Sequence, residues 1–346
     1  MRNQLTSAAL ASVLLAACSP EVIARPPPPP VDWRSLDRPP APADAGPTAM
    51  DKERVVGNAF MKALASPGFA QLGPALAEEA HFRFAGSTEV RGREKVIEAL
   101  DALLGVIDER RFATSRVLLT ESAQLREWTL TGVHKAARKP VAIKGLALLW
   151  TKGDSSISDL HLYFDEAVVK AQIGEGHRAL QSLPPPPAPP PTPQEVEQQR
   201  SPEETANLAL VRAAIHALED DNEAAFVGTM AEDVEVTTLE SAGPSRGKAG
   251  ARAWFRTMRQ AIAHLDTLVE NAWGIGPFVA VEYRISGEQR KPIGWVIPAR
   301  KNALVKMSLV DIVEIRAGKI ARVWRYDNPI EIASSPESAI AKELRP

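Results

Sequence analysis

The chain is divided by proline. Pro184 to Pro187, Pro189 to Pro191 and Pro193 form a run that lacks the backbone donors a helix interior or a central strand needs. Whatever folds on one side of this run folds separately from the other side. The same landmarks also recur across it in the same order. Arg91-Gly92 is followed 155 residues later by Arg246-Gly247, and Glu127-Trp128 with Gly132 is followed at the same spacing by Glu282-Tyr283 with Gly287. Asp165 finds a counterpart in Asp327, 162 residues on. Shared order at a nearly constant offset points to internal duplication. A length of 346 residues fits two domains better than one core.

Each half reads as helices first and long strands afterwards. Val56, Phe60, Ala63 and Leu64 make one helical stripe, and Val96, Leu100, Leu103, Leu104 and Ile107 make another. Strands follow over Leu125–His134, Val141–Thr151 and Ile157–Asp165, closing on Gln172-Ile173-Gly174. In the second half Leu208, Val211, Ile215 and Leu218 form a stripe, as do Trp254, Phe255, Met258, Ile262 and Leu265. Strands are expected near Leu268–Ala272, Phe278–Ser286, Val305–Arg316 and Lys319–Tyr326, with a tight turn at Ala317-Gly318. Ser201, Pro202 and Glu204 spell a helix start with a capping box. The fold class expected is α+β: two cone-shaped domains, each with N-terminal helices packed on a curved antiparallel sheet.

The N-terminus has a different character. Arg2 is the only charge before Glu21, and Leu5 to Ala17 is apolar or small. This stretch is too short to span a bilayer, which needs ~20 residues, but it fits the core of a secretory signal. It ends in Leu15-Ala16-Ala17-Cys18, which resembles the lipobox of bacterial lipoproteins. That resemblance implies a lipid on Cys18, anchorage to a membrane and residence in the cell envelope, with Ser19 leaning toward the outer membrane. Pro26 to Pro30 and the prolines up to Pro47 then suit an extended tether. The expected division is a signal over 1–18, a tether over 19–50, a first domain over 51–180, a linker over 181–200, a second domain over 201–333 and a tail over 334–346.

Arg91-Gly92, Glu127-Trp128-Thr129-Leu130-Thr131-Gly132-Val133-His134, Tyr163-Phe164-Asp165 and Gln172-Ile173-Gly174 together resemble the SnoaL-like polyketide cyclases of the nuclear-transport-factor-two-like superfamily. The second half resembles that superfamily more loosely, lacking the histidine and the glutamine-containing tail. The resemblance implies a cone-shaped pocket for a small, largely apolar molecule. It also implies an alternative, acid–base catalysis of a cyclase or isomerase reaction by Asp165 without metal or cofactor. A third reading is a non-catalytic scaffold, with the domains paired sheet to sheet as a pseudo-dimer, or two chains paired as a homodimer.

Alternation puts His161, Tyr163 and Asp165 on one face of their strand, and His134 and Trp128 on one face of its neighbour. A pocket built from Asp165, Trp128, His134 and Tyr163 is geometrically open, with Asp327 as the acid of the second half. Asp327 shares a face with Arg325, which predicts an ion pair that keeps its carboxyl acidic. His81, His134 and His161 lie in separate elements without ligand spacing, so no metal site is expected. The formal net charge of -2 and the lack of a basic run argue against nucleic acid as a partner.

Overall fold

The computed structural model describes residues 49–85, 88–153, 155–175, 178–181, 183–239, 241–293 and 303–329. Cys18, the signal-like segment, nearly all of the tether and the 334–346 tail lie outside the described residues.

The fold is α+β. In the first half α1 (Ala49–Ala65), β1 (Leu76–Phe84), β2 (Thr88–Arg91) and α2 (Arg93–Leu104) precede a meander of four strands. These are β3 (Ile107–Leu119), β4 (Ala123–His134), β5 (Lys139–Thr151) and β6 (Ile157–Phe164). Two short helices, α3 (Glu166–Gln172) and α4 (Arg178–Gln181), and a short strand, β7 (Gln194–Glu197), lead onward. The second half holds α5 (Pro202–Glu219), α6 (Glu223–Gly228), β8 (Met230–Thr237), β9 (Ser245–Arg246), α7 (Gly247–Ala261), β10 (Ile262–Ile275), β11 (Phe278–Gln289), β12 (Ala303–Arg316) and β13 (Lys319–Asp327).

Local chemistry explains the boundaries. The Ser201 hydroxyl accepts from the Glu204 backbone at 3.2 Å, and the Glu204 carboxylate accepts from the Ser201 backbone at 3.0 Å, completing the box that starts α5. Ala317 and Gly318 both adopt positive φ, at 49° and 67°, as a two-residue hairpin turn requires. Ile107, Ile262 and Leu265, which extend the helical stripes in sequence, belong to strands instead. Helix α7 passes into β10 without a connecting residue, so an apolar period that starts as helix finishes as sheet.

The first sheet has the order β2-β1-β6-β5-β4-β3-β7, and the second β10-β11-β12-β13-β8-β9. Read from its other end, the second order repeats the first without β7. Neighbouring long strands pair antiparallel. In both sheets, however, the last strand of the meander runs parallel to the first strand of its half, β6 with β1 and β13 with β8. The sheets are therefore mixed rather than purely antiparallel. A parallel pair needs a long crossover, and the helix and meander between the two strands supply it.

Each sheet has an inner and an outer face. In the first half Phe60, Leu64, Val96 and Leu100 from the helices pack on Phe82, Trp128, Leu162 and Phe164 from the sheet. A Cβ placed on Gly145 would meet the Trp128 ring at 2.1 Å, so that glycine makes room for the indole. The outer faces meet one another. Leu125, Leu146, Leu148 and Tyr163 pack on Ile275, Phe278, Val310, Ile312 and Tyr326.

Polar contacts cross this layer reciprocally. Tyr163 of β6 donates to Glu282 of β11 at 2.6 Å, and Tyr326 of β13 donates to Glu127 of β4. Reciprocal exchange of equivalent residues is the signature of a two-fold contact. In the ladders these residues hold corresponding places. Glu127, Leu146 and Tyr163 lie in one cross-strand row, and Glu282, Val310 and Tyr326 in the other. The row aligns Tyr163 with Tyr326, and so Asp165 with Asn328. The sequence pairing of Asp165 with Asp327 is therefore off by one residue, and a one-residue slip on a strand reverses the face.

The 181–200 segment is also more than a spacer. Its β7 pairs parallel with β3, from Arg116 opposite Gln194 to Leu119 opposite Glu197. Arg54 on α1 holds both Glu195 and Glu197.

Candidate functional site

The structure separates residues that the sequence groups. Trp128 is 1% exposed in the apolar core of the first half, edge-on to Phe112 and Phe164. Tyr163 lies on the opposite face of the sheet, in the layer between the halves. His134 closes the β4–β5 turn, where its Nδ1 accepts from the Ala137 backbone at 3.1 Å. The single pocket of Asp165, Trp128, His134 and Tyr163 does not form, because Trp128 and Tyr163 alternate to different sides. Gln172 is structural. It donates to the Ala142 carbonyl at 2.7 Å and accepts from the Ala142 backbone at 2.8 Å, tying α3 to β5.

Asp165 nonetheless borders a cavity. A cleft of about 350 Å³ is lined by Lys144, Asp165, Pro184 to Pro187, Leu239, Trp324 and Tyr326, among others. Side chains of both halves and of the proline linker contribute to it. Asp165 is the N-cap of α3, and its Oδ1 accepts from the Ala167 backbone at 2.7 Å. Its Oδ2 is buried and has no hydrogen-bond partner among the described residues. Burial, then the charge of Asp327, pushes the Asp165 carboxyl up to about 7, against the pull of the Ala167 and Val168 backbone. Asp327 Oδ1 is likewise buried without a partner among the described residues. Burial drives Asp327 up to about 6, with Arg325 opposing and Asp311 reinforcing the shift. Two buried carboxyls thus stand at the ends of β6 and β13, and the charge of Asp327 acts on Asp165.

The expected ion pair of Arg325 with Asp327 gives way to another. Arg325 Nε and Nη2 donate to Asp311 at 2.9 and 2.8 Å, and Nη2 also donates to Tyr283 Oη at 2.6 Å. Tyr283 donates to Asp311 at 2.6 Å. Arg325 and Asp311 are directly opposed across β12 and β13, whereas Asp327 lies two residues further along, so the fork geometry favours Asp311. This triad closes the polar end of a second cavity, about 50 Å³, walled by Val211, Ile215, Phe226 and Trp254. The Arg325 guanidinium stands 4.5 Å over the Trp254 ring. Pockets for drug-sized ligands usually hold ~300–1,000 Å³, a range that includes the cleft and excludes this cone.

A third polar cluster lies between the halves. Glu282 is fully buried and accepts from Arg83, from His161 Nδ1 at 2.7 Å, from Tyr163 at 2.6 Å and from Asn271 at 2.6 Å. Burial raises its pKa, but His161, Arg83 and these hydrogen bonds outweigh it and hold Glu282 well below the usual carboxylate range. Arg83 also pairs with Glu270 at 2.6 Å. Beside this, His81 is pushed up to about 9 by hydrogen bonds to Asp159 and Glu89. Sequence spacing offers no reason to group His81 with His161, because only the long-range β1–β6 pairing joins them.

The chain thus holds two helix-backed mixed sheets of like strand order, a small cavity inside the second half and a larger cleft between the halves. Residues 211–323, in the second half, match the sequence profile of the SnoaL-like domain. This is the half whose resemblance is looser by motif. Among solved structures, a candidate SnoaL-like polyketide cyclase from Jannaschia sp. CCS1 is 22% identical, covering 40% of this chain and 99% of its own, with a TM-score of 0.36. A hypothetical protein with a ketosteroid isomerase-like fold from Catenulispora acidiphila, in complex with trimethylamine, is 21% identical over 37% of this chain and 97% of its own, with a TM-score of 0.33. A candidate polyketide cyclase from Xanthomonas campestris pv. campestris is 21% identical over 38% and 96%, with a TM-score of 0.33. No curated protein matches the chain.

Proposed function

We propose that the chain binds a small, largely apolar molecule in the cleft between its two halves. The observation that carries this reading is the buried, unpartnered Asp165 oxygen in the wall of a cavity of ligand size. Pro184 to Pro187, Leu239 and Trp324 offer the apolar contact surface, and Asp165 offers the polar anchor. A carboxyl near 7 carries its proton about half the time at neutral pH, so it suits a ligand hydroxyl or carbonyl as donor or acceptor. The test is native mass spectrometry of the purified chain for co-purifying small molecules. Asp165→Ala is expected to lose the bound species, while an equal load in Asp165→Ala and wild type removes the cleft from consideration.

The same carboxyl supports a second reading, cofactor-independent proton transfer of the cyclase or isomerase type. A group with both protonation states populated at neutral pH can act as base and then as acid. In the cone of the second half, by contrast, Asp311 is committed to Arg325 and Tyr283. Recovery of a ligand isomer whose formation stops in Asp165→Asn distinguishes catalysis from binding.

The repeated strand order and the reciprocal tyrosine–glutamate contacts support a duplicated domain paired with itself in one chain, over 51–180 and 201–333. Among the described residues no helix is long and apolar enough to cross a membrane, so the proposed envelope anchor rests on Cys18. Cys18→Ser is expected to move the protein from the membrane fraction to the soluble one; an unchanged partition counts against a lipid on Cys18.

A further inference from the structure

Parallel pairing of β1 with β6 sets His81 opposite Asp159 and Arg83 opposite His161. His81 Nδ1 lies 2.9 Å from Asp159 Oδ1, and His161 Nε2 lies 3.1 Å from the same oxygen. The donor atoms of the three residues all fall within 4.8 Å of one another. The other ring nitrogens are engaged elsewhere. His81 Nε2 is 2.8 Å from Glu89, and His161 Nδ1 is 2.7 Å from Glu282 of the other half. When those outer nitrogens carry hydrogen, each donates it to a carboxylate, and the neutral rings then direct their lone pairs at Asp159. In that state three lone pairs converge, and either protons on the inner nitrogens or a metal cation must lie among them.

In metal centres a ligating histidine commonly gives its second N–H to a carboxylate, which fixes the ring and strengthens the ligand. Both histidines have that outer partner here. The surrounding charge agrees with a cation. Glu89 and Glu282 contact the two rings and Glu270 lies beyond them, while Arg83, 3.2 Å from His161 Nδ1, and Arg284 are the guanidiniums paired to these acids. The Asp159 side chain is 32% exposed and each histidine 9%, so the cluster opens to solvent on the aspartate side. Trp150 covers His161 from the next strand, with ring centroids 4.7 Å apart.

We propose that His81, Asp159 and His161 bind a divalent transition-metal ion of the zinc class, with water completing the coordination on the open side. Nitrogen and carboxylate ligands at ~2.0–2.2 Å, in a set that keeps an open position, match this residue combination. Ligand atoms in such a shell stand roughly 3.4 Å apart, so the ion draws the two rings together. It displaces the protons that the carboxylates otherwise hold on the imidazoles. Because Glu282 belongs to the second half, the ion also braces the contact between the halves.

The test is calorimetric titration of the full chain with Zn²⁺ in mildly alkaline buffer, alongside the visible spectrum with Co²⁺. One ion per chain is expected, with cobalt d–d bands typical of nitrogen and oxygen ligands. His81→Ala and Asp159→Asn are each expected to weaken Zn²⁺ binding at least about tenfold and to remove the bands. The exposed His264 serves as control, and His264→Ala leaves binding unchanged. His161 sits inside the network between the sheets, so its replacement is not used to decide. Failure of the wild-type chain to bind one Zn²⁺ overturns the proposal, as does equal binding in wild type, His81→Ala and Asp159→Asn. Should both variants lose native circular dichroism, the cobalt spectrum of the wild-type chain decides, and an aquo-ion spectrum overturns the site.

Discussion

Glu282→Ala is expected to lower the unfolding free energy by about 3–5 kcal/mol, the cost of removing one partner from a buried charge cluster. The carboxylate is fully buried and accepts from four side chains, three of them from the first half. Its loss takes one of two carboxylate partners from Arg83 and from His161, which keep Glu270 and Asp159, and leaves the buried Tyr163 hydroxyl without an acceptor. Glu282→Gln keeps the shape and one acceptor oxygen and is expected to cost less. Urea denaturation of the two variants measures both values. A loss below about 1 kcal/mol for Glu282→Ala, the range of a solvated surface pair, contradicts a dry interface between the halves.

The second large effect concerns pH. The Asp165 and Asp327 carboxyls are raised to about 7 and about 6, above the ~3.9 of an unfolded chain. Across the interval between these values the folded protein holds protons that the unfolded chain has released. Stability from this pair is therefore complete below about pH 4 and is lost as pH rises through about 6 to 7, a fall on the order of 3–4 kcal/mol for each carboxyl. Asp165→Asn and Asp327→Asn are expected to flatten that fall, and so to be more stable than wild type near pH 8. Asparagine can still cap α3, so Asp165→Asn retains the helix start. The carboxylates of Glu282 and Asp159 act in the opposite direction. Hydrogen bonds from His161 and His81 outweigh the burial of Asp159 and hold its pKa down, so acid removes that contribution. Thermal melts across pH for wild type and both variants separate the two effects. Parallel stability curves for all three proteins would mean that the two acids are solvated.

Much of the fold is legible in the sequence because it is written locally. Apolar stripes mark α1, α2, α5 and α7, alternation marks β4 to β6 and β11 to β13, and Ser201-Pro202 with Glu204 marks a helix start. The strands β1, β2, β8 and β9 escape such a reading, and β1 and β8 pair with partners far along the chain. The site is less legible for the same reason. Asp165 stands out by its strand-end position, but the Asp327 charge acting on it does not, nor do the prolines forming the facing wall. Alternation sorts residues onto two faces without naming the inner one, which is why Trp128 and Tyr163 group together in sequence although the sheet lies between them. Asp311 carries no periodic signal, and its partnership with Arg325 comes from register alone.

The strand β7 has a consequence for assembly. Gln198, just after it, has no slack: its backbone donates to Leu119 of the first half at 2.8 Å, and its side chain donates to Gly274 of the second at 3.0 Å. Helix α5 begins at Pro202, only a few residues later. With so short a stitch, each half meets its neighbour at a very high effective concentration. The pair has no dissociation constant to be diluted past, and a second copy of the chain competes poorly for either outer sheet face. Unlike a dimer of separate subunits, the arrangement and the cleft it encloses persist however scarce the protein is.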